Sequence, residues 1–526
     1  MMLGCFQGAE LQGVELVMEF SALFCLSVLF CGELLTEGFS VFYAKIEHSI
    51  ITKREQGGND YISMKITKLS TLMNNFTGHK RKRLNPAKVM FLGYLSVILT
   101  GAVLLALPIS HHEGADVNFL TALFTSTSAT SITGLVVADT SQTWSVFGRI
   151  VILCLIQIGA LGFMTFATIF FFIMNKKIGL SQRLLIMQSL NLNDIKGVVR
   201  LIRHVLLGTL VFQSVGTILL WLRFMPRYGT WQGLGMSIFH SVAAFANAGF
   251  DLFGYNYAFY GLSDHAGDGF VITIVMMLAI SGGLGFFVWE DIWQNRFRFK
   301  RLHIHSKLVL CISFWLILLG WIFFFVAERN NPYTIGYMSL PDALHISLFQ
   351  VIMPRSAGFS VVGQGNLLGS TRMVIMILML IGGSAGSTAG GIKNVTAGIL
   401  VLSAINYFKG KSRLTIFRRT IPTSQIRSAL AITMLVLFAA ISGSIAISLM
   451  QPYLPFSAVL FETISAIATC GLSHGITSEL VPVSQMLLIL FMFCGRIGIM
   501  TLGMAAFFGR NNDEKLKHPE TWVIMG

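Results

Sequence analysis

The chain has few charged residues: aspartate, glutamate, lysine and arginine together make up 12% of its 526 residues. Soluble domains contain about 25%. Hydrophobic residues account for 54%, and uncharged stretches such as Val89–Pro108 are common. These stretches have about the twenty residues that a helix needs to cross the ~30 Å hydrocarbon layer of a bilayer. The composition therefore excludes an ordinary soluble domain and predicts an all-α integral membrane protein.

Acidic residues are especially scarce, since 24 of them face 38 lysines and arginines, for a net charge of +14. The basic residues cluster in short loops, which the positive-inside rule places in the cytoplasm. We therefore interpret the charge as a signal of topology and of contact with anionic membrane lipid, not of nucleic-acid binding. The four basic loops are His79–Lys88, Asn175–Arg183, Asn295–Arg301 and Phe408–Arg419.

The seven cysteines are odd in number and scattered, so the sequence predicts neither a disulfide framework nor a metal site. The twelve histidines form no ligand pair with supporting carboxylates. An intramembrane enzyme would need paired carboxylates, a serine–histidine pair or metal-ligand spacing within its spans. The nearest candidate is Glu290 with Asp291, which we interpret as a solvated helix end beside basic residues. The sequence therefore favours transport without chemical catalysis or an organic cofactor.

A unit of apolar span, short amphipathic stretch and second apolar span recurs four times. The short stretches are Ala122–Leu135, Ser237–Phe250, Ser347–Phe359 and Val459–Leu472. Each contains a glycine near its end, and these four glycines are 115, 109 and 113 positions apart. So regular a period indicates internal repeats. Because every unit begins and ends at a basic loop, we expect four parallel repeats around an axis along the membrane normal.

The short stretches predict an ion filter. A half-length helix followed by non-helical backbone cannot face lipid, so it is buried or lines a pore. Glycine allows positive φ and close approach of the backbone, and a ring of carbonyls can replace the hydration shell of K+. Ordinary packing glycines are the alternative, but four copies at matched positions favour a filter. Its predicted members are Thr133, Gly134, Ala248, Gly249, Ala357, Gly358, Cys470 and Gly471.

The stretch Arg372–Phe408 is too long for one helix and contains a glycine-rich segment, Gly382–Asn394. A phosphate-binding loop is disfavoured because this segment contains no Gly-Lys-Ser/Thr sequence. A packing hinge remains possible, but irregular backbone at this depth favours a mobile loop that blocks the pore. We expect such a loop to control flux and not ion preference, because it would lie below the filter. The glycines of this predicted gating loop are Gly382, Gly383, Gly386, Gly390 and Gly391.

The last apolar span, Ser484–Arg510, has Arg496 near its centre. A charge at that depth is costly unless it faces a cavity or a partner. We therefore predict that Arg496 faces the pore below the filter and belongs to the gate.

Four short motifs resemble the pore-loop motifs of the bacterial Trk/Ktr and plant HKT potassium transporters: "SITGL", "NAGFDLFG", "PRSAGF" and "ATCGLS". The resemblance extends over roughly residues 86–510 and is nearest to the bacterial membrane subunits. It implies four M-P-M (helix–pore loop–helix) repeats around a pseudo-fourfold pore, with K+ as the transported ion. It also implies a gating loop that ends at Lys393, a pore arginine at Arg496, and a location in the bacterial cell (inner) membrane. As partners it implies a second copy of the chain and a separate cytoplasmic nucleotide-binding regulatory ring.

Two features leave alternatives open. Cys470 departs from the small or aliphatic residue expected before the fourth glycine, and a pore-lining thiol would be reachable from outside by small cationic reagents. A sodium-conducting or Na+-coupled transporter of the same superfamily is the alternative function. Gly134 favours K+, because some plant sodium carriers have serine at that position.

The resemblance and the basic loops together divide the chain into repeats at 86–180, 181–300, 301–410 and 411–510. Residues 1–85 form an N-terminal extension with one possible extra membrane segment and a basic cytoplasmic linker. Residues 511–526 form a cytoplasmic tail.

Overall fold

The computed structural model describes residues 86–115, 117–162, 198–254, 261–296, 298–411 and 413–498. The predicted N-terminal extension, the cytoplasmic tail and the basic loop at 175–183 lie outside these residues. The principal helices of the described part are α1 Pro86–Leu105, α2 Phe119–Thr130, α3 Val146–Leu161, α4 Val198–Tyr228, α5 Thr230–Ala246, α6 Gly269–Leu284, α7 Phe286–Gln294, α8 Ile304–Glu328, α9 Leu340–Ile352, α10 Gly369–Leu380, α11 Asn394–Phe408, α12 Thr423–Met450, α13 Phe456–Ile467 and α14 Pro482–Ile497.

The connections contain little further regular structure. A short hairpin pairs β1 Thr415–Ile416 with β2 Arg419–Thr420, antiparallel. One-turn helices lie in other connections, at Pro108–Ser110, Thr140–Thr143, Gly261–His265, Phe299–Arg301, Gln364–Asn366 and Thr477–Glu479.

Three described helices are long and apolar enough to cross a membrane: Ile202–Tyr228, Ile304–Glu328 and Thr423–Met450. A fourth span is possible if α6 and α7 are taken together, although they meet at an angle of 91°. Four shorter helices, called the short helices below, each precede one of the predicted filter glycines. They are α2, α5, α9 and α13, with 12, 17, 13 and 12 residues. The expectation of a helical membrane protein is confirmed.

Each short helix packs against the helix before it through a glycine on that earlier helix. A Cβ added to Gly101 would lie 2.5 Å from Ser126 Oγ, and one added to Gly216 would lie 2.6 Å from Ser241 Oγ. Both serine hydroxyls donate at 2.7 Å to the carbonyl three residues before that glycine. Gly320 on α8 and Gly443 on α12 occupy the same position against α9 and α13. The same packing contact therefore recurs four times along the chain.

The helices after three of the four short helices end at a glycine with left-handed φ, whereas α10 ends at Leu380 with Ile381 as its C-cap. Gly162 ends α3 with φ 78°, Gly285 ends α6 with φ 95°, and Gly498 ends α14 with φ 92°. L-residues with a Cβ rarely adopt this conformation. A second glycine lies three residues earlier, so the spacing Gly-x-x-Gly recurs. Its copies are 159–162, 282–285, 495–498 and, just after α10, 383–386.

The earlier glycine of three of these pairs allows direct contact with the end of a short helix. A Cβ on Gly159 would collide with Thr130 O, one on Gly282 with Phe245 O, and one on Gly495 with Ile467 O. Each of those carbonyls lies four residues before one of the predicted filter glycines. Backbone contact at glycine therefore fixes the depth at which three of the four short helices end.

The described part of the predicted last apolar span is helix α14, which ends at Ile497 with Gly498 as its C-cap. Arg496 is therefore in the last turn of a helix and not in the middle of one. The negative end of the helix dipole favours a cation at that position.

We expect Gly159→Ala to lower the stability of the protein, by about 1–3 kcal/mol, because the added methyl group overpacks a backbone contact. Gly235→Ala is the matched control, since Gly235 is also helical and a Cβ there meets nothing within 4 Å. It should be neutral or stabilise by about 0.4–1 kcal/mol. Thermal melting in detergent, followed by size-exclusion chromatography, measures both. Equal melting temperatures for the two variants would contradict the packing described here.

Candidate functional site

Four turns with the same backbone conformation follow the short helices α2, α5, α9 and α13. In each turn a non-glycine residue with left-handed φ lies two positions before a glycine that also has left-handed φ. The non-glycine residues are Ile132 (φ 51°), Asn247 (58°), Ser356 (76°) and Thr469 (47°), and the glycines are Gly134 (92°), Gly249 (66°), Gly358 (75°) and Gly471 (94°). Left-handed non-glycine residues are uncommon and persist where the surroundings over-determine them. Their repetition at one position defines a shared structural motif.

The residue between the two left-handed positions anchors each turn to its helix. Thr133 N donates to the carbonyl five residues earlier at 2.8 Å, and Ala248 N and Cys470 N do the same at 2.9 and 2.8 Å. In the third turn Ala357 N donates to the carbonyl only four residues earlier, at 2.9 Å. The third turn is thus one residue shorter. This difference explains the spacing between the phenylalanine of each short helix and its turn glycine, which is nine residues from Phe349 to Gly358 and ten in the other three turns.

The four glycines lie against one another in cyclic order. A Cβ on Gly134 would lie 2.8 Å from the Cα of Gly249, and one on Gly249 would lie 3.0 Å from the Cα of Gly358. A Cβ on Gly358 would lie 3.3 Å from the Cα of Gly471, and one on Gly471 would lie 3.1 Å from the Cα of Gly134. The cycle is therefore closed.

Carbonyl oxygens of the residues just before the glycines lie at the same junctions. The Cβ positions of the four glycines face, in chain order, the carbonyls of Ala248, Ala357, Cys470 and Thr133. The structure thus brings all eight sequence-predicted filter residues together. At none of the four positions is there room for a side chain.

Side-chain hydroxyls support two of the turns, which sequence reasoning missed. Gly134 N donates to Ser128 Oγ at 3.0 Å, and Gly471 N donates to Ser465 Oγ at 3.1 Å. Both serines lie six residues before their glycine. The common six-residue spacing between serine and glycine is the sequence signal that could have identified these contacts.

Cys470 contributes its backbone and not its thiol to the cycle. Its side chain is buried, and Sγ donates to Pro354 O at 3.1 Å, on the third turn. The expectation of a thiol reachable by cationic reagents is therefore wrong. The Cys470 side chain packs between the third and fourth turns, while the Cys470 carbonyl faces the cycle.

The glycine-rich segment 381–393 forms a loop between α10 and α11. Its neck is closed by hydrogen bonds from Gly382 N to Ile392 O, at 3.0 Å, and from Ile392 N to Leu380 O, at 2.9 Å. Ser384 N donates to Gly283 O at 3.0 Å, which ties the loop to the end of α6. Phe286 N in turn donates to Gly386 O at 2.8 Å. The loop is thus held by neighbouring backbone at the level where α6 breaks.

The loop also contacts the four-turn cycle directly. The side-chain amide of Asn247 hydrogen-bonds the Thr388 hydroxyl at 2.9 Å. Gly390 N donates to Ser356 Oγ at 2.9 Å. Both contacts use the left-handed residue of a turn, in the second and third turns. The sequence pattern placed the loop near the cycle but did not identify these contacts.

Two cations flank the loop without a carboxylate partner among the described residues. Lys393 Nζ donates to Ala389 O at 2.7 Å, within the loop. Arg496 donates through Nη1 to Thr388 O at 2.8 Å and through Nη2 to Gly159 O at the end of α3. The guanidinium thus connects α14, the loop and α3. Its charge is stabilised by carbonyl dipoles alone at these contacts.

A third cation, Arg355, lies behind the third turn and was missed by sequence reasoning. Its Nη2 donates to Ser313 Oγ on α8 at 3.1 Å. Ser313 also accepts from Asn394 Nδ2 at 3.0 Å, where α11 begins. The third turn and the far end of the loop therefore share one serine.

The interpretation of Glu290 and Asp291 as a solvated helix end is wrong. Asp291 is buried and accepts from Asn295 Nδ2 at 2.8 Å and from His303 N at 2.9 Å. Glu290 pairs with His204 at 2.6 Å. Both carboxylates hold the end of α7 against its neighbours. Among the residues that the structure describes, no group of three or more His, Cys, Asp or Glu residues could hold a metal ion.

The sequence matches the TrkH family, described as cation transport proteins, over residues 70–512. The chain belongs to the TrkH family. It is 39% identical over 444 residues to the Ktr system potassium uptake protein B of Bacillus subtilis. The alignment covers 84% of this chain and 97% of that relative. It is 36% identical over 450 residues to the potassium/sodium uptake protein NtpJ of Enterococcus hirae, and the alignment covers 85% of this chain and 98% of that relative. The resemblance drawn from the four motifs is thereby confirmed.

A solved structure supports the fold assigned to this TrkH-family chain. The crystal structure of the potassium transporter TrkH from Vibrio parahaemolyticus matches with a TM-score of 0.67 at 15% sequence identity. The match covers 93% of this chain and 99% of that one. At this level of identity the match establishes the fold.

The burial of Cys470 predicts that its thiol resists alkylation in the folded protein. Native labelling with a small thiol reagent, followed by peptide mass spectrometry, should leave Cys470 unmodified, and labelling after denaturation should modify it. Prompt native labelling at Cys470 would show that the thiol does not occupy the site beside Pro354.

Proposed function

We propose that this chain is the pore-forming membrane subunit of a potassium uptake system. The observation on which the proposal depends is the closed cycle of four glycine turns, each preceded by a backbone carbonyl. Potassium would enter down the membrane potential, which favours a cation by about 2.3 kcal/mol per 100 mV. The names of the potassium uptake proteins among the relatives support the same ion.

The proposed filter consists of the four carbonyls of Thr133, Ala248, Ala357 and Cys470 and the glycines that follow them. Carbonyl oxygens replace the water shell of K+ when four chains or repeats surround an axis. We assign one repeat to each turn, with the boundaries 86–180, 181–300, 301–410 and 411–510. The recurring helix–glycine contacts support a pseudo-fourfold M-P-M arrangement of these repeats.

The proposed gate is the loop 382–394 together with Lys393 and Arg496. The loop has hydrogen bonds to two filter turns and to the Arg496 side chain, so it is near the conduction axis if the cycle is the filter. The two positive charges would oppose a passing cation, because Coulomb repulsion is strong where water is excluded. Movement of the loop would then be required for conduction.

The partners in this proposal are a second copy of the chain and a cytoplasmic nucleotide-binding regulatory ring. Both follow from the likeness to the Trk/Ktr group. Contact of the basic cytoplasmic loops with anionic lipid is the third interaction that we propose. Pull-down from the bacterial membrane with cross-linking would test the first two.

Sodium conduction, or coupling to Na+, is the second candidate, because one relative is named a potassium/sodium uptake protein. Gly134 supports K+, since a Cβ there would intrude on the carbonyl of the second turn. Rubidium and sodium flux into liposomes that contain the purified protein separates the candidates. Growth of a potassium-uptake-deficient bacterium at low potassium provides the test in cells. Sodium flux that exceeds rubidium flux would contradict the proposal.

We expect Gly134→Ser to lower the rubidium-to-sodium flux ratio by about tenfold, which corresponds to a loss of ~1.4 kcal/mol in discrimination. The reason is the added Cβ, which would displace the Gly249 turn. Gly114→Ser is the matched control: Gly114 has φ 87°, but a Cβ there meets nothing within 4 Å. The control should be equally strained yet keep its flux ratio. If both variants keep the parent ratio, the first turn is not part of the filter.

Arg496→Ala is expected to raise rubidium flux by roughly tenfold. A unit charge at an effective dielectric constant of about 20 repels a cation about 8 Å away by ~2 kcal/mol. Arg496→Lys separates charge from geometry, because lysine keeps the charge but lacks the forked contacts to Thr388 O and Gly159 O. Raised flux in both variants would indicate that Arg496 acts by clamping the loop. Folded variants that both conduct less than the parent would exclude Arg496 as a barrier.

A further inference from the structure

One hydroxyl joins three parts of the site. Ser356 Oγ donates to Thr469 O at 2.8 Å and accepts from Gly390 N at 2.9 Å. Ser356 lies in the third turn, Thr469 in the fourth turn and Gly390 in the glycine-rich loop. All of this occurs out of contact with solvent, since Ser356 and Thr469 are fully buried.

The hydroxyl has one proton, so its two contacts depend on each other. A serine can donate once and accept with its lone pairs. When the Gly390 N–H occupies a lone pair, the remaining proton is directed towards the Thr469 carbonyl. Without the loop, Ser356 Oγ keeps only its contact with the Thr469 carbonyl and is therefore less firmly held in place.

The Thr469 carbonyl belongs to the filter turn itself. Thr469 lies two residues before Gly471 and has the left-handed φ that this turn requires. A Cβ on Gly390 would lie 2.9 Å from Ala468 O and would collide with Thr469 Oγ1. The loop is therefore packed directly against the fourth turn as well as bonded to the third.

A second contact repeats the arrangement. Asn247, at the position in the second turn equivalent to Ser356, bonds Thr388 of the loop. The Thr388 carbonyl accepts from Arg496. The loop is thus bonded both to filter turns and to the arginine.

We propose that Ser356 is a positioning residue that couples the gate to the filter: when the loop leaves, Ser356 Oγ loses the Gly390 contact that helps to hold it against the Thr469 carbonyl. Ion preference then depends on the position of the loop. This inference rests on the proposed function, and it differs from the sequence-based expectation that the loop controls flux alone.

The test is Ser356→Ala in the full-length protein, measured in two ways. Hydrogen–deuterium exchange of peptides that contain Gly390 should become about tenfold faster, the factor expected for the loss of one hydrogen bond. In liposomes, rubidium flux should rise and the rubidium-to-sodium ratio should fall several-fold. Ser356→Thr keeps the hydroxyl and should restore both readouts.

Ser465→Ala is the matched control, because its hydroxyl supports Gly471 N and is not bonded to the loop. It should lower the flux ratio while leaving the exchange of the loop unchanged. Gly390→Ala is the second variant, which displaces the loop while keeping Ser356. It should reproduce the Ser356→Ala results, and it provides the test if Ser356→Ala does not fold.

Unchanged loop exchange in Ser356→Ala and Gly390→Ala would overturn the proposal. A freed loop with an unchanged flux ratio would also overturn it, because the two would then be uncoupled. The exchange measurement needs no transport. If the parent protein showed no rubidium flux, the proposed function would be contradicted, and loop exchange would still decide whether Ser356 holds the loop.

Discussion

Direct contact between a glycine and a neighbouring backbone carbonyl is the constraint on which the rest of this structure depends. It closes the cycle of four turns, where the carbonyl of one turn faces the glycine of the next. It also lets α3, α6 and α14 touch the ends of the short helices. A single methyl group at these places would separate the elements. The chain can therefore bring polar backbone together inside an apolar protein without filling the space with side chains.

Backbone carbonyls also hold the two cations beside the loop. The described contacts of Lys393 and Arg496 are to carbonyl oxygens, not to carboxylates. Carbonyl dipoles hold a cation in place without cancelling its charge, so both residues continue to repel other cations. A carboxylate partner would have neutralised them. Asp291 instead secures the end of α7 through Asn295 and His303.

The four-turn cycle and the glycine-rich loop form one hydrogen-bonded assembly in this conformation. Ser356 and Asn247 are equivalent residues of successive turns, and each bonds the loop. In the left-handed conformation these two side chains face the loop. Glycine at the same position would have no side chain with which to bond the loop. In the second and third turns, the left-handed residue is therefore also the residue that bonds the loop.

The sequence by itself determined the membrane class, the four glycine turns and the break in the apolar stretch Arg372–Phe408. Each of these depends on local composition or on a repeat spacing that can be read along the chain. Only the tertiary structure decided where side chains point and where helices end in relation to their neighbours. It turned the Cys470 thiol inwards to Pro354, and it ended α14 at Gly498 so that Arg496 reaches Thr388, 108 residues earlier in the chain. Contacts over such separations depend on the relative depth of packed helices, and that depth is set by backbone approaches that no local pattern specifies.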